Sequence, residues 1–247
     1  MCEERKLMEQ KIENTEGKNM RVEHLNKIGE DVKKVVEEEN LLDFVNSLSK
    51  EKILENVICQ LVNREKNENR LTVVPNKKVL DLVVLYRVVI SEDELHRVSF
   101  IVNNEICKKY GISIKELDIA AMQNTKEKGF KTQTMASTIA EITGVTEEIL
   151  VESTPPMYVL TNKRMLGGAS VMLYPEEFEK IALLLNDDLY ILPSSINEVI
   201  AVPVNEVELY ILKAMVSTVN AEEVAEDEVL SESVYRYSLE TGKLTIA

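Results

Sequence analysis

The fold class predicted for this 247-residue chain is α+β, and three observations lead to it. Stripes of apolar residues at spacings of three and four alternate with short β-branched runs, but without the strict strand–helix–strand order of a parallel sheet. The connections are short. The composition, 45% hydrophobic with 8 Gly and 6 Pro, excludes a disordered, collagen-like or turn-rich all-β chain. The expected architecture is a helical N-terminal region followed by a mixed, mainly antiparallel sheet packed with helices. Residues 1–49 read as a helical extension with a polar, frayed start. Residues 50–247 read as the α+β domain, with an acidic module at 158–247.

Each element has a local reason. Val22, Leu25, Ile28, Val32 and Val35 draw one stripe down a helix. A stripe of under three heptads suits packing within the chain better than a coiled coil, with a homodimer through this helix as the other outcome. Ser49 reads as the N-cap of a helix carrying Ile53, Leu54, Val57, Ile58, Leu61 and Val62. Val79–Ile90 reads as a buried strand interrupted by Asp81 and Arg87, and Arg97–Val102 as its antiparallel partner. A charge in such a strand must be paired or must reach a site. Ser113 and Glu116 make a capping box, Gly144 stops a helix begun at Thr134, and Thr146 opens another. Met157–Thr161 and Ala169–Tyr174 read as strands. Pro175 stands at N1 of a helix striped by Phe178, Ile181, Ala182 and Leu185. Leu189–Leu192 and Val199–Val204 read as strands, Glu206–Val219 as a helix, and Val234–Ser238 with Lys243–Ile246 as a hairpin.

The formal charge is −14. It is unevenly spread: −3 over residues 1–70, −2 over 71–157 and −9 over 158–247. This argues against nucleic-acid binding, which needs clustered Lys and Arg. The densest acidic run, Glu222, Glu223, Glu226, Asp227 and Glu228, reads either as a solvated segment or as a surface for a basic protein partner. The start MCEERKLMEQ lacks an apolar signal-peptide core, and no apolar run approaches the ~20 residues of a membrane span. With Cys2, Cys59 and Cys107 odd in number and scattered, a reducing, cytoplasmic location is expected.

Common nucleotide, hydrolase and zinc signatures are missing, and the two histidines, His24 and His96, leave little material for histidine-based catalysis. No catalytic residue, metal ligand or cofactor is assigned. Two features remain. Pro193–Glu198 follows a strand with two hydroxyls and a carboxylate, a placement common in sites. A capping box from Ser195 to Glu198 explains the same residues without chemistry. Asp187 and Asp188 offer a carboxylate pair that with Glu198 would suit a metal, but a helix-to-strand turn selects the same residues and is the preferred reading. The candidate ligand or partner set is therefore Arg87, Asn162, Ser194, Ser195, Asn197 and Glu198.

Several segments together resemble a known family: Leu61–Asn67 (LVNREKN), Leu80–Arg87 (LDLVVLYR), Asn124–Thr125, Met157–Lys163 (MYVLTNK), Gly168–Tyr174 (GASVMLY), Asp188–Ile200 (DLYILPSSINEVI) and Leu230–Ser238 (LSESVYRYS). The resemblance, carried by residues 51–247, is to an uncharacterised bacterial domain family of unknown function found in mobile genetic elements. It implies no reaction, substrate or cofactor. It does imply a histidine where this chain has Asn197, and asparagine cannot shuttle a proton near neutral pH. The function expected is a non-enzymatic, acidic protein-interaction factor of a mobile element, an inhibitor or modulator of a host or element protein. The alternative is an enzyme or ligand-binding protein acting on a small molecule or nucleotide through residues 193–198.

Overall fold

The computed structural model describes residues 47–92, 97–151 and 156–247. The apolar stripe from Val22 to Val35, with His24 and His96, lies outside the described residues. Lys50–Asn56 (α1) opens where expected, the Ser49 hydroxyl accepting from Lys52 N at 3.2 Å. It ends earlier than expected. Val57–Asn63 is a strand (β1), and Asn124 fixes the changeover by donating to the carbonyls of Leu54 and Val57, both at 2.8 Å. A run such as VICQLV suits a buried helix or a buried strand equally, and burial on both sides decides for the strand.

A 3-10 turn (Glu65–Asn67) and one helical turn (Glu68–Leu71, α2) lead to Asn76–Val79 (β2), Leu82–Glu92 (β3) and Arg97–Ile101 (β4). The expected long strand at 79–90 is divided. Leu80 and Asp81 form the two-residue turn between β2 and β3, so Asp81 avoids burial within the sheet. Its carboxylate instead accepts from Ser231 Oγ and Tyr235 Oη, both at 2.7 Å. In this first sheet β3 pairs with β1 along one side and with β2 and then β4 along the other, all antiparallel.

Asn104–Tyr110 (α3) precedes Ile114–Lys128 (α4), whose capping box is formed: Ser113 Oγ accepts from Glu116 N and Glu116 Oε2 from Ser113 N. Helix α4 covers one face of the first sheet. Thr125 Oγ1 accepts from Cys59 N at 2.8 Å, and Tyr86 Oη donates to Asp118 at 3.0 Å.

The second sheet is built from Phe130–Thr134 (β5), Tyr158–Asn162 (β6), Leu189–Leu192 (β7), Val199–Pro203 (β8), Tyr235–Ser238 (β9) and Lys243–Ile246 (β10). Its order is β10-β9-β7-β8-β6-β5, antiparallel throughout. Met135–Thr143 (α5), ended by Gly144 at φ +73°, and Glu147–Val151 (α6) lie between β5 and β6. Pro175–Leu185 (α7) packs Phe178 against Tyr237 on one face, with ring centroids 5.9 Å apart. Leu209–Glu222 (α8) packs Leu212 and Val216 against Leu192, Val202 and Val234 on the other. The architecture is α+β.

Gly168–Leu173 is a 3-10 segment, not the expected strand. Both sides of β6 are already paired, with β5 and β8, so no edge is free to receive it. Its first residue must be glycine: a Cβ on Gly168 would fall onto Thr161 Oγ1 and the Asn197 carbonyl and lie 2.6 Å from Asn162 N.

Candidate functional site

The face of the first sheet turned away from α4 carries Val62, Val83 and Leu85, covered by Val74 and by Ile196 from the β7–β8 connection. On the two central paired strands, polar residues interrupt this apolar face at Gln60 on β1 and Arg87 on β3. The register pairs Arg87 with Ile58 and Gln60 with Leu85, so the two side chains are diagonal neighbours on one face. Arg87 reaches across the sheet. Nη1 donates to Gln60 Oε1 at 3.1 Å, Nε to Ser99 Oγ at 3.1 Å and Nη2 to the Ser99 carbonyl at 3.4 Å. All three acceptors are neutral. Among the described residues no carboxylate pairs with Arg87, although buried charges usually acquire such a partner. Burial, together with the charges of Arg97 and Arg70, pulls its basicity down from the ordinary arginine value. A guanidinium nevertheless stays charged in proteins.

Arg87 opens onto a groove of about 680 Å³. One wall is basic, with Lys66 and Arg70 alongside Asn63 and Asn67; the other is acidic, with Glu226 and Asp227; Val62, Ile196 and Val229 supply apolar contacts. Local bonds shape both walls. Asn63 Oδ1 accepts from Lys66 N at 2.9 Å and Asn67 Nδ2 donates to the Asn63 carbonyl at 2.8 Å, which holds the turn carrying Lys66. Lys66 Nζ then spans the groove to the Glu226 carbonyl at 3.0 Å. Arg70 is exposed and its guanidinium has no partner among the described residues.

The loop 193–198 borders this groove through Ile196. No helix starts in it, so Ser195 caps nothing of that kind. Its polar groups bond internally, to strand β6 or to neighbouring loops. Ser195 Oγ accepts from Asn197 N at 3.0 Å, and Ser194 Oγ donates to Glu198 Oε1 at 3.2 Å. Asn197 accepts from Gly167 N (2.9 Å) at its side chain and from Thr161 Oγ1 (2.6 Å) at its carbonyl, and donates Nδ2 to Glu228 Oε1 at 3.3 Å. Ile196 N donates to the Glu228 carbonyl at 2.9 Å.

The candidates drawn from the sequence thus divide. Arg87, Glu226 and Asp227 line one groove, which the 193–198 loop reaches through Ile196, while Ser194, Ser195, Asn197 and Glu198 are not part of its lining. Glu228 is joined to the loop through Asn197, and Glu222 and Glu223 stay at the exposed end of α8. Asn162 lies elsewhere, in a pocket of about 260 Å³ with Glu92, Arg97, Lys128 and Lys163. There its amide knots its own turn, donating to the Leu166 carbonyl at 2.7 Å and accepting from Arg164 N at 2.9 Å. The sequence alone does not single out Gln60, Asn63, Lys66, Asn67 and Arg70 as site residues. Gln60 carried a usable signal, the single polar residue in an apolar run, once that run is read as a strand.

The comparison with protein families bears on this arrangement as a whole. A family model matches residues 9–239, nearly the full chain. The chain belongs to the family of unknown function DUF5688. The DUF5688 match starts at residue 9, well ahead of residue 51 where the resemblance read from the sequence begins, ends at 239, and spans every residue of the groove. No curated protein and no solved structure matches the chain. Among the described residues of this DUF5688 member, no three His, Cys, Asp or Glu side chains are grouped to hold a metal ion, and no helix is long and apolar enough to cross a membrane.

Proposed function

We propose that this protein is a non-enzymatic binding protein whose polar groove recognises a charged segment of a protein partner. The observation that carries the reading is Arg87: a half-buried guanidinium, held in place by three bonds to neutral atoms and without an anion among the described residues. A charge fixed in that way is preorganised for a carboxylate, because its geometry costs nothing further on binding. Arg70 and Lys66 add to the attraction. Glu226 and Asp227 face them, so the partner segment carries a basic residue beside its acidic one. The resemblance noted from the sequence extends the reading to an accessory factor of a bacterial mobile element that inhibits or modulates a host or element protein. Chemistry at residues 193–198 has less support, since the loop's side chains are engaged with one another and with Gly167 and Glu228.

The test is capture from native lysate at low salt, followed by calorimetry with the purified partner. Arg70→Glu and Arg87→Gln each weaken binding by roughly tenfold or more, the scale of one lost charged hydrogen bond. Arg70 is exposed and without a side-chain partner among the described residues, so its variant reads the groove while leaving the fold alone. A partner retained equally by both variants overturns the proposal, as does the lack of any stoichiometric partner.

A further inference from the structure

A second groove, of about 420 Å³, lies between the outermost strands of the two sheets. Its rims are Lys78 and Leu80 from the β2 end and Lys243 and Leu244 from β10; its floor is Met122 and Met172. Among the described residues strand β10 ends the six-stranded sheet and pairs with β9 alone. Ala247 N donates to the Val234 carbonyl, which extends the register and makes 247/234, 245/236 and 243/238 the hydrogen-bonded pairs. The N–H and C=O groups of Leu244 and Ile246 therefore point outward. Among the described residues nothing bonds to them. An open edge over a methionine-floored groove is the arrangement in which a further strand adds, with main-chain bonds giving affinity and the floor taking alternate side chains.

The lysines select the strand. Lysine on an edge deters pairing by neutral or basic strands. Beside acidic side chains the same residues attract, which converts a barrier into a specificity device. Lys77 is bonded to Asp118 at 2.8 Å, but Lys78 and Lys243 have no side-chain partner among the described residues. In a chain of net charge −14 this is a local basic rim. Leu80 adds an independent sign: it holds φ +56° as the first residue of its turn, a position that favours glycine, and is 41% exposed beside the groove. We propose that this groove receives an extended segment of a partner protein, alternating aliphatic residues with Asp or Glu, which pairs with β10 as an added strand.

The probe is a fluorescein-labelled hexapeptide alternating Glu with Val and Ile, titrated into the full chain at low salt and followed by anisotropy. A peptide with Lys in place of Glu is the control. Saturable binding of the Glu peptide, with slowed amide exchange at Leu244 and Ile246, is expected. Lys243→Glu weakens it at least tenfold. Leu80→Gly removes the groove side chain while relaxing the turn, so it keeps the wild-type Tm and binds several-fold more weakly. Arg70→Glu leaves this peptide's affinity unchanged, which separates the site from the Arg87 groove. The proposal is overturned by no saturable binding, by equal binding of the Lys peptide, or by unaltered exchange at Leu244 and Ile246. Light scattering that shows dimers abolished by Lys243→Glu overturns it too, by assigning the edge to a second copy of the chain.

Discussion

Replacing Thr125 with valine tests how the first sheet is sealed. Among the described residues strand β1 pairs with β3 on one side only, and the Cys59 amide points from its other side into Thr125 Oγ1. Both residues are almost wholly buried, Thr125 at 6% and Cys59 at 2% exposure. Valine matches threonine in volume, so Thr125→Val opens no cavity but leaves a buried N–H with no acceptor. Such an orphan costs about 2 kcal/mol. The bond from Thr125 Oγ1 to the Ala121 carbonyl adds little, because that carbonyl lies inside α4 and keeps its helical partner. For a domain of this size the loss lowers Tm by about 4–8 °C. Thr125→Ser is the companion variant: it keeps the hydroxyl and sacrifices one methyl, worth about 1 kcal/mol. Thermal and urea unfolding should therefore rank wild type above serine and serine above valine, with faster hydrogen exchange at Cys59 in the valine protein alone. A valine variant as stable as the serine one would refute the reasoning, since burial of the methyl would then outweigh the amide's lost acceptor.

Acid sensitivity follows from Glu116. The Lys50 ammonium, with the Ser113 amide and hydroxyl, pulls its carboxyl down to about 2. A carboxylate lowered in the folded state adds stability above its unfolded pKa of ~4.3 and loses it as pH falls toward 2. Glu116→Gln should thus flatten the dependence of urea midpoint on pH between those limits, and an unchanged slope would count against the Lys50–Glu116 link. Gly168→Ala places a methyl on Thr161 Oγ1 and the Asn197 carbonyl, and overpacking against backbone should cost ~3 kcal/mol in chemical denaturation. A variant within experimental error of wild type would show that the Gly168–Asn197 approach gives way easily.

The parts of this fold legible in sequence are those decided within a few residues. The Ser113–Glu116 box, the stop at Gly144, Pro175 at N1 and the hairpin around Leu239–Gly242 all depend on local backbone chemistry and appear where expected. The misreadings share another cause. Whether VICQLV is helix or strand depends on α4 and Ile196 covering its two faces, residues far away along the chain. Whether GASVML extends depends on a vacancy beside β6, and β5 and β8 leave none. The site follows the same division. Arg87 was visible because a charge in an apolar strand needs a reason. Lys66 and Arg70 were not, because each is an ordinary surface residue until the fold sets it opposite Glu226 and Asp227.

The connection between β7 and β8 carries an engineering consequence. Hairpin tips are ordinarily where a chain accepts inserted sequence. Here Asn197 and Ile196 tie the tip to Gly167, Thr161, Ala169 and Glu228, so an epitope tag or fused domain placed there would pull on several segments at once. The turn at Gly144–Thr146, exposed throughout and with open space around Gly144, is the joint at which this protein can be lengthened.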